Sequence, residues 1–338
     1  MAYLYKQCIL LSDLPITGWY RYRDMFQILP PTASMKKAPY LIGENKPCIF
    51  QWKSRKADAV RINSVTQEEI PDWVLDVELS SEVFREIVLV LGVISVNRIS
   101  CSTGKQGWFI PTEREGDIEP IWGQESYFCR EISANISSFS EVTGLDAIPM
   151  IPSNRHYNTL YQHMDNVFSL PEDITLILDA YFILSEVDKN AFLCASTLFE
   201  QGANTWSISP SLSFVGFVSC LETLVNVENN DTPVEKCEQC QQKKHQVTKK
   251  FLNFMLKYGN NDPTFKKFSN KIYKYRSEIV HSGQLLNGDL MPEKFGHHDS
   301  IEDDEFRRGV IRACRICMVN WLFERAKNTH PTMLKRDS

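Results

Sequence analysis

An arginine, Arg276, stands five residues before a histidine, His281, in the stretch YKYRSEIVHSG that runs from Tyr273 to Gly283. Held together, these two side chains are the minimum needed for metal-free cleavage of RNA. Near neutral pH the imidazole can move a proton to or from a ribose hydroxyl. The guanidinium can hold a phosphate oxygen with two parallel hydrogen bonds while charge builds there. The spacing alone is a short pattern that arises by chance, so its weight comes from its surroundings.

The second set of chemistry-bearing residues is sulfur. Cys237-Glu-Gln-Cys240 has the spacing of half a zinc site, with His245 available as a third ligand. Cys314-Arg-Ile-Cys317 repeats the spacing near the C-terminus. The two pairs could close a four-sulfur site. Equally, Cys314 and Cys317 could pack as small hydrophobes on one helix face, and Cys237 and Cys240 could form a turn without metal. A structural zinc on Cys237 and Cys240 is the cofactor expectation, with none needed for catalysis. His297-His298-Asp299 lies in an acidic stretch read as a solvated loop.

Charge is unevenly distributed. The 338-residue chain carries a formal net charge of −5. Between Glu235 and His281, however, eleven Lys and Arg face four Asp and Glu, a local surplus of +7. A basic segment on an acidic chain can be a footprint for phosphates. Lys243, Lys244, Lys249 and Lys250 are the candidate RNA contacts; the alternative is a solvated helix face. With 43% hydrophobic and 23% charged residues the composition is that of a globular protein. Ten cysteines in a chain of this length, after a first segment with no basic n-region or small-residue cleavage site, point to a reducing cytoplasm rather than a disulfide scaffold. The longest apolar run, Ile87–Val96, is too short to cross a bilayer, so no membrane partner is expected.

The elements that must position these residues fall into two halves, an α+β organisation. Residues 1–165 read as a β-rich α+β domain. Strands are expected at Tyr3–Leu11, Pro39–Ile42, Cys48–Trp52 and Ala59–Ile62, with extended segments at Trp108–Pro111 and Ile121–Cys129. Ser81–Val96 reads as a helix or a long buried strand. This half contains no phosphate-binding glycine loop, zinc-protease or serine-hydrolase motif. Residues 166–338 read as an all-α bundle. Helical spacing of apolar residues runs through Asp173–Glu186, Ala191–Phe199, Ser211–Val225, Lys249–Tyr258, Phe265–Val280 and Asp303–Lys327.

Arg276 lies near the centre of an apolar stripe made by Phe265, Phe268, Ile272 and Ile279. On an ideal helix His281 is displaced from it by about 140°. The two can meet if the helix stops near Val280, with Gly283 as a left-handed terminator. Otherwise His281 simply caps the helix end while the stem of Arg276 covers the stripe.

SLSFVGFVSCLETLVNVE, then CEQC, then a basic helix ending in YRSEIVHSG resembles the Apea-like branch of the HEPN superfamily, over about Asp173 to Lys327. The resemblance implies a small helical bundle that dimerises, so that two R-x4-6-H motifs face each other across the two-fold axis as one composite site. Many members are metal-independent endoribonucleases of toxin–antitoxin, phage-defence and CRISPR systems, and the branch often carries a poorly characterised N-terminal domain. The family's arginine falls on Arg276 and its histidine on His281. The sequence departs from the pattern at Ser277, where active members often have Asn, Asp or His; serine can share a hydrogen bond but cannot carry charge. Glu222, at the border of its helix's apolar stripe, could fix the arginine from a neighbouring helix or stand on the surface. Two functions follow as expectations. One is an RNA-cleaving homodimer, a toxin or phage-defence effector whose N-terminal domain, residues 1–165, has a sensing or regulatory role, detecting a protein or phage-derived trigger or holding the nuclease in check. The other is a non-catalytic dimerisation scaffold whose N-terminal domain binds a ligand or protein.

Overall fold

A computed structural model of the chain describes residues 2–37, 46–58, 60–100, 106–109, 121–124, 127–129, 132, 135–158, 166–230, 246–290 and 298–329. Its contacts divide it into two units, Met1–Pro152 with Tyr161–Glu172, and Ser153–Leu160 with Asp173–Ser338. The architecture is α+β, an antiparallel sheet region followed by a mostly helical one.

The first unit is built on β1 (Tyr3–Ser12), β2 (Tyr20–Tyr22), β3 (Phe26–Leu29), β4 (Lys36–Lys37) and β5 (Lys46–Arg55). After them come α1 (Asp72–Ile94), β6 (Ile99–Ser100), β7 (Gln106–Phe109), β8 (Ile121–Gln124), β9 (Tyr127–Cys129), β10 (Asn135–Ile136), β11 (Met150–Ile151) and β12 (Leu170–Pro171). The main sheet has the order β10-β1-β5-β3-β2, with β6 also pairing β1. β1 and β5 run antiparallel along their whole length, from Tyr3 opposite Arg55 to Ser12 opposite Lys46. A smaller sheet has the order β4-β9-β8-β7, and β11 and β12 form a short parallel pair.

Alternation along the strands sends side chains to two faces, and both are covered. On one face Phe26, Phe50 and Trp52 stack in sequence, and Phe84 of α1 packs against Phe50 and Trp52. The indole of Trp52 donates to Ser80 O at 3.0 Å, fixing α1 on this face. The other face gathers Ile9, Leu11, Leu29 and Ile49 with Tyr127, Cys129 and Ile132. Ser81–Val96 is therefore helix: α1 begins nine residues before Ser81, far longer than a strand, and its C-terminal half is the buried part. Of Ala59–Ile62, expected as a strand, the described residues 60–62 form none: Ile62 makes an isolated bridge to Glu69, and Arg61 O accepts from Ile70 N at 2.8 Å. Pro39–Ile42 lies outside the described residues.

The second unit comprises α2 (Ser153–Asn158), α3 (Ile174–Phe182), α4 (Glu186–Asn204), α5 (Pro210–Glu228), α6 (Val247–Tyr258), α7 (Pro263–Ser282), α8 (Asn287–Leu290) and α9 (His298–Thr329). α9 starts a turn earlier than the acidic run suggested, so the backbone of His298 and Asp299 is helical rather than loop. At the centre is α5, packed against α4, α6, α7 and α9. Among the described helices it alone is long and apolar enough to cross a membrane by length and composition. Here its apolar residues Phe214, Phe217, Val218, Leu221 and Leu224 are buried in the unit. A side chain on Gly216 would place its Cβ 3.0 Å from Gly202 Cα, so the glycine is what lets α5 lie directly on α4. At the C-terminal end of α5, Glu228 accepts from Lys257, Tyr258 and Arg325, which ties α5 to α6 and α9. Burial alone would raise this carboxyl. The two cations and the phenol outweigh that and hold it below its ordinary value.

Candidate active site

The site begins with the ends of α7. Asp262 caps the helix by accepting from Phe265 N at 2.8 Å, and Pro263 follows at the first helical position. Ile272 is fully buried on the core side. Phe268 and Tyr275 both pack on Phe306 of α9, and Tyr275 also meets Phe214 of α5. With the helix held this way, Arg276 lies half-buried beside α5.

Glu222 of α5 fixes the guanidinium, its Oε2 accepting from Arg276 Nη2 at 3.0 Å. Both side chains are shielded, with 21% exposure for Arg276 and 18% for Glu222, so the pair is less screened than a surface ion pair. Arg276 Nη1 then lies 3.3 Å from Nε2 of His281. A guanidinium only donates, so a hydrogen bond across this contact uses Nε2 as the acceptor. Arg276 Nε is buried without a partner among the described residues.

The two residues meet although the helix does not end near Val280. It continues through Ser282, and Gly283 closes it with φ 63° and its N–H bonded to Glu278 O. The expected 140° displacement is bridged by side-chain length. The rise over five residues is only about 7.5 Å, and a long arginine turned toward Glu222 can still present its second nitrogen to the last turn. Gly283 occupies the left-handed region, where a β-branched residue is strained by about 1–2 kcal/mol. Gly283→Val is therefore expected to lower the melting temperature modestly and loosen the turn that carries His281. A thermal melt with hydrogen exchange at Glu278–Ser282 checks it.

Other sequence expectations divide. Ser277 is half-buried next to Arg276. Lys249 is exposed and Lys250 half-buried in the first turn of α6. Lys266, Lys267, Lys271 and Lys274 are exposed on α7 itself, so the basic surplus extends along the helix that carries the site. Lys274 also pairs with Glu278 at 3.7 Å. Cys237, Cys240, Lys243, Lys244, His245 and His297 lie outside the described residues. Cys314 and Cys317 are fully buried. Cys314 Sγ donates to Phe217 O at 3.3 Å, and Cys317 Sγ lies 3.9 Å from Met255 Sδ. Burial pushes both thiols well up, as it does for cysteines enclosed by apolar side chains. They sit in the core as small hydrophobes, one of the two readings the sequence left open for them.

Comparison with known proteins leaves the site to be argued on this geometry: no family model, no curated protein and no solved structure matches the chain.

Proposed function

We propose that the helical unit is a metal-independent endoribonuclease of the HEPN type, working as a homodimer with Arg276 and His281 as its catalytic pair. The observation that carries this reading is the contact between Arg276 Nη1 and His281 Nε2, with Glu222 holding the other side of the guanidinium. The contact sets an imidazole with an unshared pair beside a fixed, positively charged fork.

The chemistry follows from those two groups. An incoming phosphodiester takes the Nη1 donor for one of its oxygens, and Nε2 is freed to accept the proton of the ribose 2′-hydroxyl. The 2′-oxygen attacks phosphorus, the bond to the 5′-oxygen breaks, and Arg276 stabilises the charge on the phosphorane. The leaving oxygen takes a proton from an imidazolium. One imidazole cannot stand on both sides of an in-line displacement, so the same histidine of a second copy supplies that proton across a two-fold axis. The products are a 2′,3′-cyclic phosphate and a 5′-hydroxyl. Lys249, Lys250 and the exposed lysines of α7 would line the approach of the RNA, and Lys243 and Lys244, just before α6 in sequence, are the remaining candidate contacts. Resemblance supports the role of a cytoplasmic toxin or phage-defence effector, with the N-terminal unit sensing a protein or phage-derived trigger.

A second reading has an observation in its favour. The ion pair of Arg276 with Glu222 also joins α7 to α5, as it would in a non-catalytic dimerisation scaffold. Incubating the purified chain with a mixed RNA pool in EDTA separates the two. The nuclease is expected to sediment as a dimer at micromolar concentration and to leave cyclic-phosphate and 5′-hydroxyl ends with metal removed. Intact RNA, or cleavage that stops with EDTA, would leave the scaffold.

A further inference from the structure

The face of the main sheet that carries Ile9, Leu29 and Ile49 also buries a row of glutamines, at positions where aliphatic residues would be expected. Gln7, Gln27 and Gln51 stand in register on β1, β3 and β5, and are at most 7% exposed. Their amides are joined end to end. Arg21 Nε and Nη2 donate to Gln27 Oε1 at 2.8 and 2.6 Å. Gln27 Nε2 donates to Gln51 Oε1 at 2.5 Å, and Gln51 Nε2 donates to Gln7 Oε1 at 2.9 Å. Arginine fixes the direction of the whole row. It can only donate, so Gln27 must turn its oxygen to Arg21, and each following amide must then present its oxygen backward and its NH2 forward. Ser140 N, donating to Gln51 Oε1 at 2.9 Å, agrees with that orientation.

The row ends at Gln7, and nothing among the described residues accepts from Gln7 Nε2. Gln7 and Gln51 instead line a cavity of about 490 Å³ whose walls include Leu29, Pro31, Ile49, Ile132 and Leu145. That volume lies in the range of small-molecule sites, as does the mixture of apolar wall with a few converging polar groups. A hydrogen-bond chain that starts on a cation polarises each amide in the same sense, so the terminal NH2 is a stronger donor than an isolated amide. Exposed Glu141 lies at the same cavity and disfavours an anion there.

We infer that this cavity is a binding site for a neutral small molecule with an apolar body and a carbonyl oxygen, which accepts from Gln7 Nε2. The donor end of the row offers a charged amine no acceptor, since an ammonium brings only further donors, so an amine could be held only by Glu141 at the mouth. Glu141 selects against carboxylates, and the aliphatic walls take the body of the ligand. A site of this kind would give the N-terminal unit a chemical input of its own. It stands or falls independently of the Arg276 site, which it does not touch in any step.

Isothermal titration of the full chain with octanamide, octanoate and octylamine tests it. Octanamide is expected to bind more tightly than either octanoate or octylamine. Gln7→Met keeps the side-chain volume, and Gln51 Nε2 retains Ser140 Oγ at 2.7 Å. It is expected to weaken octanamide by about fivefold, the worth of one net hydrogen bond, and to level the preference among the three probes. Leu145→Trp, at a partly exposed wall position, should fill the mouth and abolish binding. If Gln7→Met does not fold, Arg21→Gln keeps a neutral donor on Gln27 and removes the charge, and is expected to narrow the preference for the amide. No binding of octanamide, equal affinity for all three probes, or a preference untouched by both variants would overturn the inference.

Discussion

His281→Ala is expected to remove RNA cleavage by at least about 10³-fold, since general acid–base transfer commonly supplies 10²–10⁴ and no other histidine lies in the motif. Arg276→Ala is expected to do the same through loss of charge stabilisation on the phosphorane. Arg276→Lys should fail nearly as badly. Lysine offers a single charged point, whereas the observed arrangement uses two separate nitrogens of one planar group, Nη2 on Glu222 and Nη1 toward His281. The variants differ in what they do to the fold. His281 is exposed in the last turn of α7, so its loss should leave the melting curve of the parent. Arg276 is half-buried and paired, so its loss should cost some stability. A cleavage assay with a melt on each variant checks both claims. Parent-like cleavage by folded His281→Ala would end the nuclease reading, whatever Arg276→Ala shows.

How far the sequence carried the fold depends on how local each signal was. The caps Ser209 and Asp262 escape the sequence reading, and α5 and α7 start one and two residues before their expected positions. Gly283, past Ser282, is legible as a helix end because it acts on its own neighbours. The apolar stripe of α5 is likewise a short-range pattern. Strand pairing is not local. Ala59–Ile62 has the composition of a strand, yet its described residues 60–62 make only an isolated bridge at Ile62, while β2 and β3 form a hairpin around Arg23, which takes a positive φ that sequence reading expects of glycine or asparagine. The glutamine row was illegible for the same reason. Gln7, Gln27 and Gln51 look like solvent-facing positions until three strands bring them into one register. At the site, Arg276 and His281 could be singled out by type and spacing. Their contact could not, because an ideal helix separates them and the closure depends on side-chain reach. Glu222 is 54 positions from Arg276, and only the packing of α5 on α7 brings them together.

Glu222 therefore provides the sharper test of what the pair is for. Glu222→Ala leaves a half-buried guanidinium without its carboxylate. Loss of a hydrogen bond to a charged partner costs about 1.5–3 kcal/mol, so a clear drop in melting temperature is expected. The Glu222→Ala, Arg276→Met double variant removes both charges and should recover part of that loss, because no unpaired charge remains between α5 and α7. A scaffold would show this stability pattern and nothing more. A nuclease adds a kinetic effect. With Nη2 released, the guanidinium can swing away from His281, and a misplacement of about 1 Å in a catalytic group costs on the order of 10²-fold in rate. Glu222→Gln keeps an oxygen able to accept from Nη2, so it should retain most of the geometry with a weaker, uncharged bond. The expected order of cleavage is parent, then Glu222→Gln, then Glu222→Ala, measured well below each variant's melting temperature. Equal rates across that series would show that Glu222 serves only to join two helices and that Arg276 reaches His281 without it.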